Sequence, residues 1–305
     1  MSNLQTVERL GPPRAVPDFF HWCPPDNCPT PSPLRTFSTN TTAFHLNIKP
    51  DVPKMSLYDF SAKFNIPDLP VSICDFLGHY LHNQRFRKIG GRQGSSDDPR
   101  IPFDDVKIWH LVQIQNFSSD GGLRIPQRLS AAPPSDSWPF GRYDTAIFRE
   151  DVEGGPQTPG HGFDGQLHFK PSFHALTPWI GFFVGQIRCI FYPHWQLETR
   201  LPLYLAYVHR FDIVPQLHAP RGQRSIPDPI TGMYVLKRAK RSSGAPMGAI
   251  VPLYHCYMPV QLIPRFGAKA DRRLDHPLST MEFTQEFFLN HYFDMEDFFL
   301  LCRTL

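Results

Sequence analysis

Two periods of apolar residues divide the chain. Leu57, Phe60 and Phe64 recur at helical spacing behind Ser56, a residue able to cap a helix, with Asp59 placed to answer it in a capping box. Ile66-Pro67-Asp68 ends that run and sets Asp68 to cap a second one, where Ile73, Phe76, Leu77, Tyr80 and Leu81 form one stripe. Two short helices about a tight turn have the outline of a helix-turn-helix. From about residue 101 the period changes to two. Val106, Ile108, His110, Val112 and Ile114 face one way, with Lys107, Trp109, Gln113 and Gln115 on the other. Further strands are expected over 180–192, 203–211, 233–238, 248–253 and 260–265, each rich in β-branched or aromatic residues and bounded by Pro, Gly, Asp or Ser. The aromatic run over 281–301 fits a short strand with a short helix. No regular alternation of strand and long helix appears, which disfavours a parallel doubly wound sheet.

The expected fold is α+β, mainly β: an antiparallel, partly closed barrel preceded by a two-helix element and a proline-rich arm. The boundaries drawn are an arm over 1–40, a small helical element with a basic linker over 41–98, and a barrel-like domain over 99–305. Eight prolines between Pro12 and Pro33 interrupt any period in the arm. Proline makes up 33 of 305 residues, about twice ordinary usage, which argues against long helices and broad flat sheets.

Residues 1–10 carry polar and charged groups where a secretory signal has an apolar core, and no apolar run reaches the length of a membrane span. The six cysteines are accordingly expected as free thiols in an intracellular protein with no membrane partner. Cys23 and Cys28 with His21 have a spacing a zinc site tolerates, but no second close pair accompanies them, so neither metal nor cofactor is expected. His161, His168 and His174 are too widely spaced to read as ligands. Nucleotide-binding glycine loops, nucleophile elbows and His-Glu-x-x-His runs are missing from the sequence. Asp104 with Asp105, Glu282 with Glu286, and Asp294 with Glu296 and Asp297 would serve a metal-dependent nuclease only if they converged in space.

Charge placement says more than the net of +3. Arg85, Arg87, Lys88 and Arg92 follow the helices directly. Between residues 221 and 273 ten basic residues face two acids, whereas residues 274–305 hold six acids against Arg303 alone. Within the basic stretch, Lys237, Arg238, Lys240 and Arg241 form one group, and Arg265, Lys269, Arg272 and Arg273 another. If these share a face, nucleic-acid phosphates are the natural partner. The opposing expectation is that the acidic end folds back and neutralises them. Lys237-Arg238-Ala239-Lys240-Arg241 also has the form of a nuclear-import signal, so the expected location is the nucleus, otherwise the cytoplasm.

Several phrases carry a family resemblance. They include Thr42-Ala43-Phe44-His45-Leu46-Asn47, Ser135-Asp136-Ser137-Trp138-Pro139 and Gly141-Arg142-Tyr143-Asp144. Gly232-Met233-Tyr234-Val235-Leu236, Val260-Gln261-Leu262-Ile263-Pro264-Arg265-Phe266-Gly267 and Phe287-Phe288-Leu289-Asn290-His291-Tyr292-Phe293-Asp294 follow in order. From about residue 35 onward the chain resembles the C-terminal region of Plavaka-type transposases, a fungal mobile-element group allied to the Kyakuja-Dileera-Zisupton superfamily. That resemblance implies a severed or decayed tail whose catalytic core would lie upstream, so no catalytic acid is carried over. It implies a non-catalytic module that binds DNA or helps assemble the transposase by holding its catalytic part or another protein. Ile250-Val251-Pro252-Leu253 with the strand that follows is also similar to bromo-adjacent homology modules, β-rich chromatin readers, which would make it a protein-interaction barrel.

Overall fold

The computed structural model describes residues 34–39, 42–81, 101–116, 124–149, 182–194, 204–215, 226–242, 244–267 and 279–293. The zinc-spaced residues of the arm, the histidines at 161, 168 and 174, and the acids at 294–297 lie outside them. The chain divides into two units, Met1–Pro31 and Ser32–Leu305. All the described residues belong to the second.

That unit is mainly β and every strand pairing in it is antiparallel. A first group of strands, β1 (Leu34–Ser38), β2 (Thr42–Asn47) and β3 (Val52–Ser56), precedes helices α1 (Leu57–Lys63) and α2 (Leu69–Leu81). Then come β4 (Asp105–Trp109), β5 (Leu111–Asn116), β6 (Gln127–Ala132), β7 (Arg142–Tyr143) and β8 (Thr145–Arg149). The long strands β9 (Phe182–Pro193) and β10 (Leu205–Ile213) are followed by β11 (Val235–Arg238) and β12 (Gly248–Pro252). A 3-10 turn at Leu253–His255 leads into β13 (Cys256–Pro264), and the short helix α3 (Thr280–Phe283) precedes β14 (Glu286–Asn290).

One sheet runs β12-β10-β11-β14-β13-β8-β9-β4-β3, and β10 also pairs with β9. That extra pairing closes β8, β9, β10, β11, β14 and β13 into a six-stranded barrel. A second sheet, β1-β2-β5-β6-β7, packs against its wall. Three apolar clusters result. Ile147, Val184, Phe211, Leu236, Met258 and Phe287, one from each barrel strand, fill the barrel interior. Phe44, Val112, Phe148, Ile187 and Val208 lie between the second sheet and the barrel wall. Phe60, Phe64, Ile73 and Leu77 of the helices meet Phe191 and Tyr207, where β9 and β10 run on past the barrel. β9 is therefore buried on both faces, which is why its sequence reads as a continuous apolar run rather than an alternation.

Several elements differ from the sequence expectation. The strand drawn through His110 breaks there: Val106 and Ile108 face the helix core, Val112 and Ile114 the other, and Asp51 accepts a hydrogen bond from His110 N at 2.7 Å. A change of sheet costs one bend, and the apolar period carries no mark of it. Ser56 caps α1 as drawn, accepting from Asp59 N at 3.1 Å. Asp68 is engaged elsewhere: its carboxylate accepts from Tyr207 Oη at 2.5 Å and from Arg241 Nη2 at 2.8 Å, tying the turn between α1 and α2 to β10 and the segment after β11. The helical element drawn over 41–98 is joined to the barrel domain by β2–β5 and β3–β4 pairing, and Ile73, Phe76 and Leu77 of the stripe on α2 are core. Pro53 and Pro252 lie in β3 and β12, the two ends of the nine-strand order, where a missing N–H costs least.

Candidate functional site

The basic residues singled out from the sequence have separate fates. Arg85, Arg87, Lys88, Arg92, Lys269, Arg272 and Arg273 lie outside the described residues. Alternation along β11 sends Lys237 outward and Arg238 into the barrel. There Arg238 donates from Nε to Thr284 O and from Nη1 to Gln186 Oε1, each at 3.2 Å. Burial lowers its pKa to about 10, and Glu282 acts in the opposite direction. Lys240 is exposed, and Arg241 is held by Asp68. Arg265 pairs with Glu286 at 3.0 Å and lies 5.6 Å over the Phe288 ring. Lys237 stands opposite Asp212 on one neighbouring strand and Glu286 on the other.

Lys237 and Arg265 thus reach one outer face, β11–β14–β13, although 28 positions separate them in sequence. Acids interleave that face. Asp228 is held below the ordinary carboxylate range chiefly by the hydrogen bond from Thr231 N, and Arg265 acts in the same direction. The acidic end folds back at two points, Glu286 on Arg265 and Glu282 on Arg188. Among the described residues no group of three or more His, Cys, Asp or Glu side chains could hold a metal, and Asp105 is paired with Lys54 at 3.0 Å.

Large apolar side chains are exposed on β13 and in the segments next to β11, β13 and β14. Ile230 is 92% exposed, Phe266 65%, Tyr292 62% and Phe293 53%. Ile263, also exposed, stands opposite Phe288 across β13 and β14. Tyr292 Oη donates to Thr231 O at 3.4 Å, fastening the segment after β14 to the loop that carries Ile230. The sequence pattern alone does not single these residues out as exposed. The available signal was position: Phe266 lies two residues beyond the end of β13 and precedes a glycine, and Tyr292 and Phe293 follow the end of an alternating strand. Arg188 was also missed, and its signal was an arginine in the middle of an otherwise apolar run.

Among the described residues no helix is long and apolar enough to cross a membrane. No curated protein and no solved structure matches the chain. A family model described as a domain of unknown function (DUF6830) matches residues 24–170, so the helices and the strands as far as β8 are similar to that family, while the match stops short of the strands that carry the aromatic face.

Proposed function

We propose that this chain is a non-catalytic interaction module that docks another protein on the outer face of β13 and β14. The observation that carries the reading is the exposure of Ile230, Ile263, Phe266, Tyr292 and Phe293 on and beside the strands β11, β13 and β14, with the charge of Arg265 already matched by Glu286. Aromatic side chains and arginine are the groups that dominate protein–protein interfaces, whereas a phosphate track needs cations in excess. On this face the described cations Lys237 and Arg265 meet Asp212, Asp228 and Glu286, which leaves no such excess. The resemblance to the C-terminal region of Plavaka-type transposases names the partner: the catalytic part of a transposase-like protein.

The test is titration calorimetry of the full chain against the separately expressed catalytic part of a Plavaka-type transposase. A variant carrying Phe266→Ser, Tyr292→Ser and Phe293→Ser provides the comparison, because exposed positions leave the core intact. Binding that weakens at least a hundredfold in the variant, with little salt dependence, supports the reading. Absence of binding, or a dimer of this chain that the variant abolishes, removes the named partner. Steeply salt-dependent binding to an oligonucleotide, lost in the same variant, would make the face a nucleic-acid platform.

A further inference from the structure

On the opposite side of β11 from Lys237, the barrel interior changes from apolar to cationic. Along β9 the inward positions run from Val184 through Gln186 to Arg188, and along β10 from Phe211 to His209. Beyond them Phe191 and Tyr207 enter the helix core, so a polar layer separates two apolar ones. Arg188 is the extra residue of a β-bulge, since Tyr207 pairs with Cys189 and Val208 with Ile187. Its guanidinium lies 3.8 Å over the Tyr143 ring and donates to Glu282 at 3.0 Å. Arg238 lies 5.4 Å from both Phe211 and Phe287 and also donates to Met281 O.

Two buried guanidiniums therefore face one carboxylate among the described residues. Ring faces and backbone carbonyls stabilise a cation without cancelling its charge, and an unmatched buried charge is costly. His209 adds none, because burial, followed by Arg188 and Arg238, lowers its pKa to about 3. Four buried polar atoms here have no partner: Arg188 Nε, His209 Nδ1, Thr284 Oγ1 and Tyr143 Oη. Arg188, His209 and Thr284 are each more than nine-tenths buried.

We propose that this layer is a binding site for a carboxylate, with Arg188 and Arg238 supplying the charge and Arg188 Nε–H, His209 Nδ1–H and the Thr284 hydroxyl supplying donors. Among the described residues the unmatched charge is one, which a carboxylate satisfies and a phosphate dianion exceeds. Glu282 already demonstrates the fit of a carboxylate to Arg188. It also marks the way in, since the Glu282 side chain is 34% exposed and that of Arg188 only 4%. The carboxylate belongs to a small organic acid or to an acidic side chain of a peptide, and the chemistry at the guanidiniums is the same.

The test is thermal unfolding of the full chain with sodium glutarate, against sodium chloride at equal ionic strength. The wild type is expected to show a saturable rise in Tm with glutarate only. Glu282→Gln is expected to start at a lower Tm and to bind glutarate at least tenfold more tightly, because it leaves both guanidiniums unmatched. Arg188→Met is expected to lose the response. If Arg188→Met does not fold, the wild type and Glu282→Gln decide between them. Equal effects of glutarate and chloride in both proteins, or weaker glutarate binding in Glu282→Gln, overturn the proposal. A larger shift with inorganic phosphate overturns the assignment to carboxylate. A capped hexaglutamate peptide that binds more tightly than glutarate supports the site with an acidic segment as its source, and one that binds less tightly supports it with a small acid.

Discussion

Gly248→Ala and Gly78→Ala add the same methyl group and are expected to change stability in opposite directions. Gly248 lies on β12 opposite His209, and the Tyr207 phenol crosses directly over it to reach Asp68. A Cβ at 248 would overlap the Tyr207 hydroxyl oxygen and lie 2.7 Å from ring Cε2. Tyr207 has no room to withdraw. It is fully buried in the helix core, and its ring packs edge-on against His209 at 5.6 Å. The methyl therefore overpacks the core, at a cost of about 1–3 kcal/mol. Displacing the phenol also breaks its bond to a carboxylate, worth about 1.5–3 kcal/mol. Together these give roughly 2.5–6 kcal/mol, a large part of a typical domain's stability. Gly78 lies inside α2 with nothing within 4 Å of the added Cβ, so alanine there is expected to stabilise by about 0.5–1 kcal/mol. Urea unfolding measures both as shifts in midpoint at unchanged slope. A neutral Gly248→Ala, or a destabilising Gly78→Ala, would refute the placement of α2 and Tyr207.

His209 makes stability depend on pH. Its pKa is about 3 folded against 6.5 ordinarily, so between those values the unfolded chain binds a proton that the folded chain excludes. Stability is expected to fall as pH drops through that window, by up to about 1.4 kcal/mol per unit, and His209→Gln should shallow the slope of urea midpoints between pH 7 and pH 5. His45 and His110, lowered by burial in the same direction, leave a residual slope. Burial pushes the Cys189 and Cys256 thiols well above their ordinary pKa, so peptide mapping after brief alkylation at pH 8 should find half-buried Cys74 modified and those two spared until unfolding. A double-mutant cycle with Asp68→Asn and Arg241→Met should give a coupling of about 1 kcal/mol, since both side chains are roughly a quarter exposed. A coupling near zero would place the turn between the helices free of the barrel.

Much of the barrel was legible because its strands carry their own signal. Runs over 180–192, 203–211 and 233–238 became β9, β10 and β11 with shifts of about two residues. β1, β2 and β3 were not, because Pro-rich and polar neighbours mask five- and six-residue strands that depend on partners elsewhere. Nor does a linear pattern show closure, which rests on β10 pairing with both β9 and β11. The charges show the same limit. A run of lysines and arginines marks a basic stretch, but strand alternation separates Lys237 from Arg238, and long-range pairing puts Glu282 and Glu286 against cations far away in sequence. Arg188 and Phe266 were visible as residues out of place, one charged in an apolar run and one aromatic beyond a strand's end.

Hydrogen exchange of the chain, alone and mixed with the catalytic part of a Plavaka-type transposase, tests the central claim most directly. Slowed exchange confined to peptides spanning 260–267 and 286–293, with the α2 and β2 peptides unchanged, is the predicted result. Protection centred on the helices or the second sheet, with the β13–β14 face exchanging as in the free chain, would contradict it.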